Sequence, residues 1–144
     1  MNAVDVVNAS FKAIEDRDWD AIDRLISDDL QFVGPMPQPL GKQEFIGLHR
    51  AILVAFPDWR FHQSNLQASD DRVSGNVQVG GTHQGTLSLP GLPEIPATGK
   101  YVQNPVEPIS FEVVNAKITR VDVPLTPGGG VPGLIEKLGV AMPK

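Results

Sequence analysis

Cysteine is absent from the 144 residues. Disulfide bridges and thiolate metal sites are therefore excluded, and a reducing compartment is compatible with the chain. Clusters of basic residues are missing as well. The 12 lysines and arginines are scattered singly against 17 acidic residues, for a net charge of −5. Without a basic stripe, neither a nucleic acid nor an anionic membrane surface is an expected partner. No apolar run approaches the roughly 18 residues of a membrane span. The opening MNAVDVVNASFKAIED has neither the basic nor the long apolar region of a signal peptide. One soluble, cytoplasmic domain over residues 1–144 is the expectation.

Several catalytic signatures are lacking too. The three histidines, His49, His62 and His83, have no usual zinc-ligand spacing. The triplet Gly128-Gly129-Gly130 is not followed by Lys-Ser/Thr, so it is not a phosphate loop, and no G-x-S-x-G elbow occurs. Acid/base work by carboxylate and imidazole in an apolar pocket remains.

What is present begins with helical periodicity. Val4, Val7, Phe11 and Ile14 recur at three- and four-residue steps, and a second helix capped by Asp18 turns Trp19, Ile22, Leu25 and Ile26 inward. LQFVGP reads as a short strand and MPQPLG as a proline-rich loop. A third helix starts near Gly41 or Lys42 and ends before Pro57, with Phe45, Leu48, His49, Ile52 and Phe56 on one face.

From Trp59 the period falls to two. WRFHQSNLQA and RVSGNVQVGG form one hairpin around Asp70, and YVQNPVEPISFEVV and KITRVDVPL form another around Asn115-Ala116. Between them GGTHQGTLSLPGLPEIPATGK is a Gly/Pro-rich connection across the open end of the sheet, with IPATGK starting the next strand. TPGGGVPGLIEKLGV is a glycine loop followed by a short helix closing one end. Helices first and a sheet afterwards specify an α+β fold, with a curved antiparallel sheet around an apolar cavity.

Facing residues across a hairpin share a face. A regular second hairpin sets Val113 opposite Ile118, Phe111 opposite Arg120 and Ile109 opposite Asp122. Asp122, Arg120 and Glu107 then join the apolar inner face, where an unpaired charge needs a partner or a task. In the first hairpin Val73, Val77, Val79 and His83 face inward, opposed by Trp59, Phe61 and Gln63. A slip of one residue reverses either assignment. Asp122 is thus the candidate acid/base and His83 its assistant. His49, Trp59, Phe61, Gln63, Val79, Glu107, Ile109 and Arg120 are candidate ligand contacts, although Trp59 and Phe61 read more readily as core. The acids of EDRDWDAIDRL and SDD are solvated or capping groups.

AFPDWRF (55–61), GGTHQG (80–85), IPATGK (95–100), AKITRVDV (116–123) and LIEKLG (134–139) occur in an order that resembles SnoaL-like polyketide cyclases, or ester cyclases, of the ketosteroid isomerase-like (nuclear transport factor) superfamily. The resemblance implies a cone-shaped, cystatin-like α+β barrel, a deep apolar cavity and no metal or organic cofactor. It implies intramolecular aldol closure of a polyketide ring, with a pocket aspartate near the end of the last long strand, where Asp122 stands. The family's assisting histidine on the preceding strand is replaced here by Glu107 and Pro108, and Lys117-Ile118-Thr119-Arg120 lacks the tryptophan that usually follows. A homodimer through the outer sheet face is also implied, with Ser74, Asn76, Gln78, Ser110 and Glu112 on it. Asp122 removing a proton α to a carbonyl, with His83 or Gln63 stabilising the enolate, is the mechanism this reading suggests. Isomerisation, epoxide opening by Asp122, Arg120 and Glu107, and a non-catalytic ligand-binding or dimerisation module are the alternatives.

Overall fold

A computed structural model describes residues 2–34, 38–89, 92–124 and 126–139. Three helices lead: α1 (Ala3–Glu15), α2 (Trp19–Leu25) and, after strand β1 (Ile26–Val33), α3 (Lys42–Ala55). Asn2 caps α1 in a reciprocal box with Asp5, and the Asp18 side chain accepts the Ala21 N–H at the start of α2. Such caps satisfy amide groups that a helix leaves without internal partners. Ile26 is fully buried, as expected for an inward residue, but it opens β1 rather than ending α2.

The remaining strands are β2 (Ser64–Ser69), β3 (Arg72–Val77), β4 (Gly80–Thr82), β5 (Tyr101–Gln103), β6 (Glu107–Val114) and β7 (Lys117–Asp122). Five form a curved sheet in the order β1-β7-β6-β3-β2, and β4 pairs with β5 separately. The α+β class stands. Two details differ from expectation. β1 runs parallel to β7, so the sheet is mixed, and β1 and β2 stand at its two ends, so among the described residues no closed barrel forms. YVQNPVEPISFEVV is likewise divided into β5 and β6, because Pro105 has no N–H to lend a ladder and lies between the two strands.

The helices lay their apolar faces on the concave side of this sheet. Phe11 meets Phe61 at 5.0 Å and Phe111 at 5.6 Å between ring centroids, the latter edge-on. The last helix, α4 (Gly130–Lys137), buries Val131, Leu134 and Ile135. No helix among the described residues is long and apolar enough to cross a membrane.

The β6–β7 hairpin turns at Asn115 (φ 53°) and Ala116 (φ 62°), the pair of left-handed residues that a two-residue type I′ turn requires. Val113 faces Ile118 as the regular register demands. The next pair is Glu112 with Arg120, so Thr119 is an extra residue on β7. Its hydroxyl donates to the Glu112 carbonyl at 3.3 Å. Beyond this bulge Phe111 pairs with Val121 and Ser110 with Asp122, which shifts every later β7 side chain to the opposite face.

Candidate functional site

Between α1, α3, the inner sheet face and α4 lies a cavity of roughly 100 Å³. Its walls are aliphatic and aromatic, among them Phe11, Phe45, Ile52, Trp59, Phe61 and Ile109. Three polar side chains reach it: Ser10, His49 and Glu107. Ser10 donates its hydroxyl proton to the Val7 carbonyl at 2.6 Å. His49 and Glu107 are therefore the titratable groups on the wall among the described residues.

His49 arrives there through the helical period, one turn after Phe45 on the buried face of α3. Its Nδ1 lies 2.8 Å from the Phe45 carbonyl. A carbonyl can only accept, so Nδ1 carries the proton and Nε2 keeps its lone pair. No protein group among the described residues bonds Nε2, and it is not among the fully enclosed polar atoms. The ring packs 4.3 Å from Phe45 and 6.0 Å from Phe61. Burial in this setting pushes the imidazole pKa down to about 4, against the opposing pull of the Phe45 carbonyl. His49 is thus neutral at pH 7 and presents a hydrogen-bond and proton acceptor to an apolar space.

Glu107 opens β6 opposite Val77 and is 3% exposed. Oε1 accepts the Gly130 N–H at 3.0 Å and the Asn104 side-chain N–H at 3.4 Å. The glycine triplet explains itself here. A Cβ on Gly129 would stand 2.5 Å from Oε1, and Gly130 has φ +64°. Only glycines let the backbone wrap a carboxylate this closely. Lys137, from the end of α4, donates to the Gly128 carbonyl at 2.7 Å and to Asn104 Oδ1 at 3.2 Å. A buried carboxylate is costly unless donors surround it, and the first residue of α4 supplies one of them. The sequence held a signal for this arrangement: a buried-type acid between two prolines and a glycine triplet belonging to no phosphate motif.

The sequence-derived candidates divide into two groups. His49, Trp59, Phe61, Val79, Glu107 and Ile109 line the cavity. Asp122, Arg120, His83 and Gln63 do not. The Thr119 bulge turns Asp122 to the outer face, where its Oδ2 accepts from Arg120 Nε at 2.9 Å and lies 3.6 Å from Arg72. Arg120 shares that face and its guanidinium is held charged by Asp122. The epoxide-opening set of Asp122, Arg120 and Glu107 is consequently split by the sheet. Gln63 is half-buried and its amide donates to Asn8 Oδ1 at 3.4 Å.

His83 does point inward, but into packing rather than into the cavity. It is 0% exposed and stacks 5.3 Å from Phe56. The backbone N–H of Thr98 donates to Nδ1 at 3.2 Å, so the proton sits on Nε2, which has no hydrogen-bond partner among the described residues. Burial lowers its basicity, against the carbonyls of Ile95 and Gly85. The connection after His83 folds back over the end of α3, with Gln84 and Gly85 N–H on the Ala55 carbonyl, and β5 starts only at Tyr101 rather than at IPATGK.

A concave sheet, helices on its inner side and one apolar cavity holding an imidazole and a carboxylate define a pocket-bearing α+β protein. Residues 7–121 match the SnoaL-like domain, and the chain belongs to that family. Solved structures agree on the fold. AclR from Streptomyces galilaeus, provisionally named a hydroxylase, superposes with a TM-score of 0.73 at 21% identity, covering 95% of this chain and 80% of that one. A SnoaL-like polyketide cyclase from Agrobacterium tumefaciens gives 0.70 at 19% identity, with 96% and 99% covered. A Xanthomonas campestris protein of unknown function with a cystatin-like fold gives 0.62 at 17%, with 85% and 89% covered. No curated protein matches the chain.

Proposed function

We propose that this SnoaL-like protein is a cofactor-independent acid/base enzyme acting on a small, largely apolar carbonyl compound, with His49 as the base. The observation that carries the reading is the open Nε2 lone pair of His49 in the cavity, with the tautomer set by the Phe45 carbonyl. Nε2 takes a proton from the carbon α to a carbonyl, leaving an enolate and an imidazolium. In a cyclisation the enolate carbon attacks a second carbonyl of the same molecule, and the new alkoxide recovers the proton from Nε2. No net proton or electron is gained or lost. Glu107, with Oε1 held by Gly130 and Asn104, accepts a hydrogen bond from a substrate hydroxyl or enol and so orients the substrate, without taking its proton. Holding both carbonyl groups in one apolar enclosure supplies proximity. General base catalysis of this kind contributes about 10²–10⁴ in rate.

The test is exchange of the methyl protons of acetophenone for deuterium in D₂O, followed by NMR. Catalysed exchange is expected, and His49→Gln is expected to slow it at least about 100-fold. Undiminished exchange in that variant sinks the assignment. One observation favours a second reading, a ligand-binding module: a pKa of about 4 makes His49 a weak base but an adequate hydrogen-bond acceptor. Binding of aryl ketones with no exchange above solvent in the wild type selects that reading.

A further inference from the structure

The glycine loop and α4 lie beyond the matched span of residues 7–121, yet they build part of the cavity wall. Gly130, Val131 and Leu134 line it, and Val131 and Leu134 are 6% and 3% exposed. α4 is also tied down at both ends. Gly130 N–H binds Glu107 at its start, and Lys137 binds the Gly128 carbonyl and Asn104 at its end. A wall fastened to the charged group of the site is not free to recede as an unanchored helix would be.

The cavity is roughly 100 Å³. Ligand pockets for drug-sized molecules usually hold about 300–1,000 Å³, whereas an apolar cavity of about 150 Å³ takes up benzene. Multi-ring substrates therefore exceed what this wall leaves, and a single ring is near its limit.

We infer that α4 is the specificity wall of the site, with Leu134 and Val131 restricting it to ligands of one ring bearing a carbonyl or hydroxyl. This rests on the cavity being the ligand site, as proposed above, and it concerns binding, not turnover. A second fused ring adds apolar surface that tightens binding wherever there is room to bury it. In the wild type that gain is absent, because Leu134 occupies the space. Shortening Leu134 opens the cavity and restores the gain, and Val131→Ala does so to a smaller degree. Enlarging the side chain with Leu134→Phe closes the cavity even to one ring.

Calorimetric titration with acetophenone and 2-acetonaphthone tests this. The wild type is expected to bind 2-acetonaphthone no tighter than acetophenone. Leu134→Ala is expected to shift the affinity ratio at least ten-fold toward the two-ring ketone, and Leu134→Phe to weaken acetophenone at least ten-fold. Far-UV circular dichroism checks that each variant is folded. If Leu134→Ala does not fold, Val131→Ala carries the test, with a shift of at least three-fold expected. A wild type that already prefers 2-acetonaphthone ten-fold, or a folded variant with an unchanged ratio, overturns the inference. A shifted ratio in a protein that exchanges no ketone protons removes the catalytic reading and leaves this one standing. Exchange that depends on His49, with the ratio unmoved, does the opposite.

Discussion

Glu107 and Asp122 stand on neighbouring strands, one at the start of β6 and one at the end of β7. Both are carboxylates on strands that otherwise alternate, and a regular hairpin sets both on the same face. The structure separates them. Glu107 is enclosed by the apolar wall of the cavity and held by a backbone N–H and an amide. Asp122 lies among arginines on the outer face, with 22% of its side chain exposed. Side chain and strand are alike in the two cases. One inserted residue, Thr119, turns Asp122 to the outer face while Glu107 faces the cavity.

The contrast breaks most easily at the inner acid. Glu107→Gln keeps the shape and much of the hydrogen bonding but removes the carboxylate to which the proposed function gives a role in the cavity. Its effect on acetophenone exchange should be a loss of roughly 100-fold, the size expected when a substrate is no longer correctly oriented. Exchange kinetics at saturating ketone measure it, and a fully active Glu107→Gln would place the inner acid on a par with the outer one.

Acid sensitivity should also belong to the inner face. His49 has a folded pKa of about 4, against about 6.5 for an unfolded histidine. The folded state binds the proton more weakly, so this contribution to stability is complete above pH 6.5 and is lost as pH falls toward 4. Between pH 7.5 and 4.5 the loss from this one group is on the order of 2–3 kcal/mol. Urea unfolding of the wild type and of His49→Gln at both pH values isolates it. The variant should lose that much less on acidification, and an equal loss in both proteins would refute it.

How much of this was legible in the residues follows the same division. The helical faces, with Phe45, His49 and Ile52 on one side of α3, follow from period and caps, which are local. The α+β class follows from the order of those elements, and the family from five short motifs in their order. The β7 register does not. Apolar and polar residues alternate up to the bulge and resume after it, and the consecutive polar residues Thr119-Arg120 in KITRVDV show a break in period without marking which of them is extra. The bulge is set by tertiary pairing, with Val33 of β1 taking Asp122 as its partner on the other edge of β7. His83 illustrates a second limit. A histidine near the end of a strand can point at a cavity or be covered by the following loop, and the loop's path depends on its hydrogen bonds to Ala55 and Lys100. The role of the glycine triplet required knowing that Glu107 lies beneath it.

A milder perturbation reaches the inner acid through its cradle. In Gly129→Ala the new methyl group meets Oε1 of Glu107 at 2.5 Å, so the loop or the carboxylate must move. Overpacking of this kind costs about 1–3 kcal/mol. Equilibrium unfolding should show that loss. Because α4 hangs on the same loop, acetophenone affinity should weaken with it. Unaltered stability and affinity would mean that the carboxylate is not confined by the loop.

The smallest effect is expected at Asp122. On a cavity-facing strand end its conversion to Asn would abolish proton abstraction. On the outer face it removes only one acceptor of Arg120 and Arg72, whose side chains are 39% and 52% exposed. Exposed ion pairs of this kind contribute little, because solvent and salt screen them and ordering the long side chains opposes them. Asp122→Asn should leave acetophenone exchange and the affinity ratio unchanged, and a small shift in unfolding midpoint at low salt should vanish at high salt. The outcome is informative because it opposes the expectation from a regular hairpin and from the family pattern. A large loss of exchange in Asp122→Asn with the fold intact would mean that β7 turns Asp122 inward when a ketone is bound, and the separation of inner from outer acid would no longer hold. An inactive Glu107→Gln beside an active Asp122→Asn would leave the bulge at Thr119 as the feature that assigns the two carboxylates their different roles.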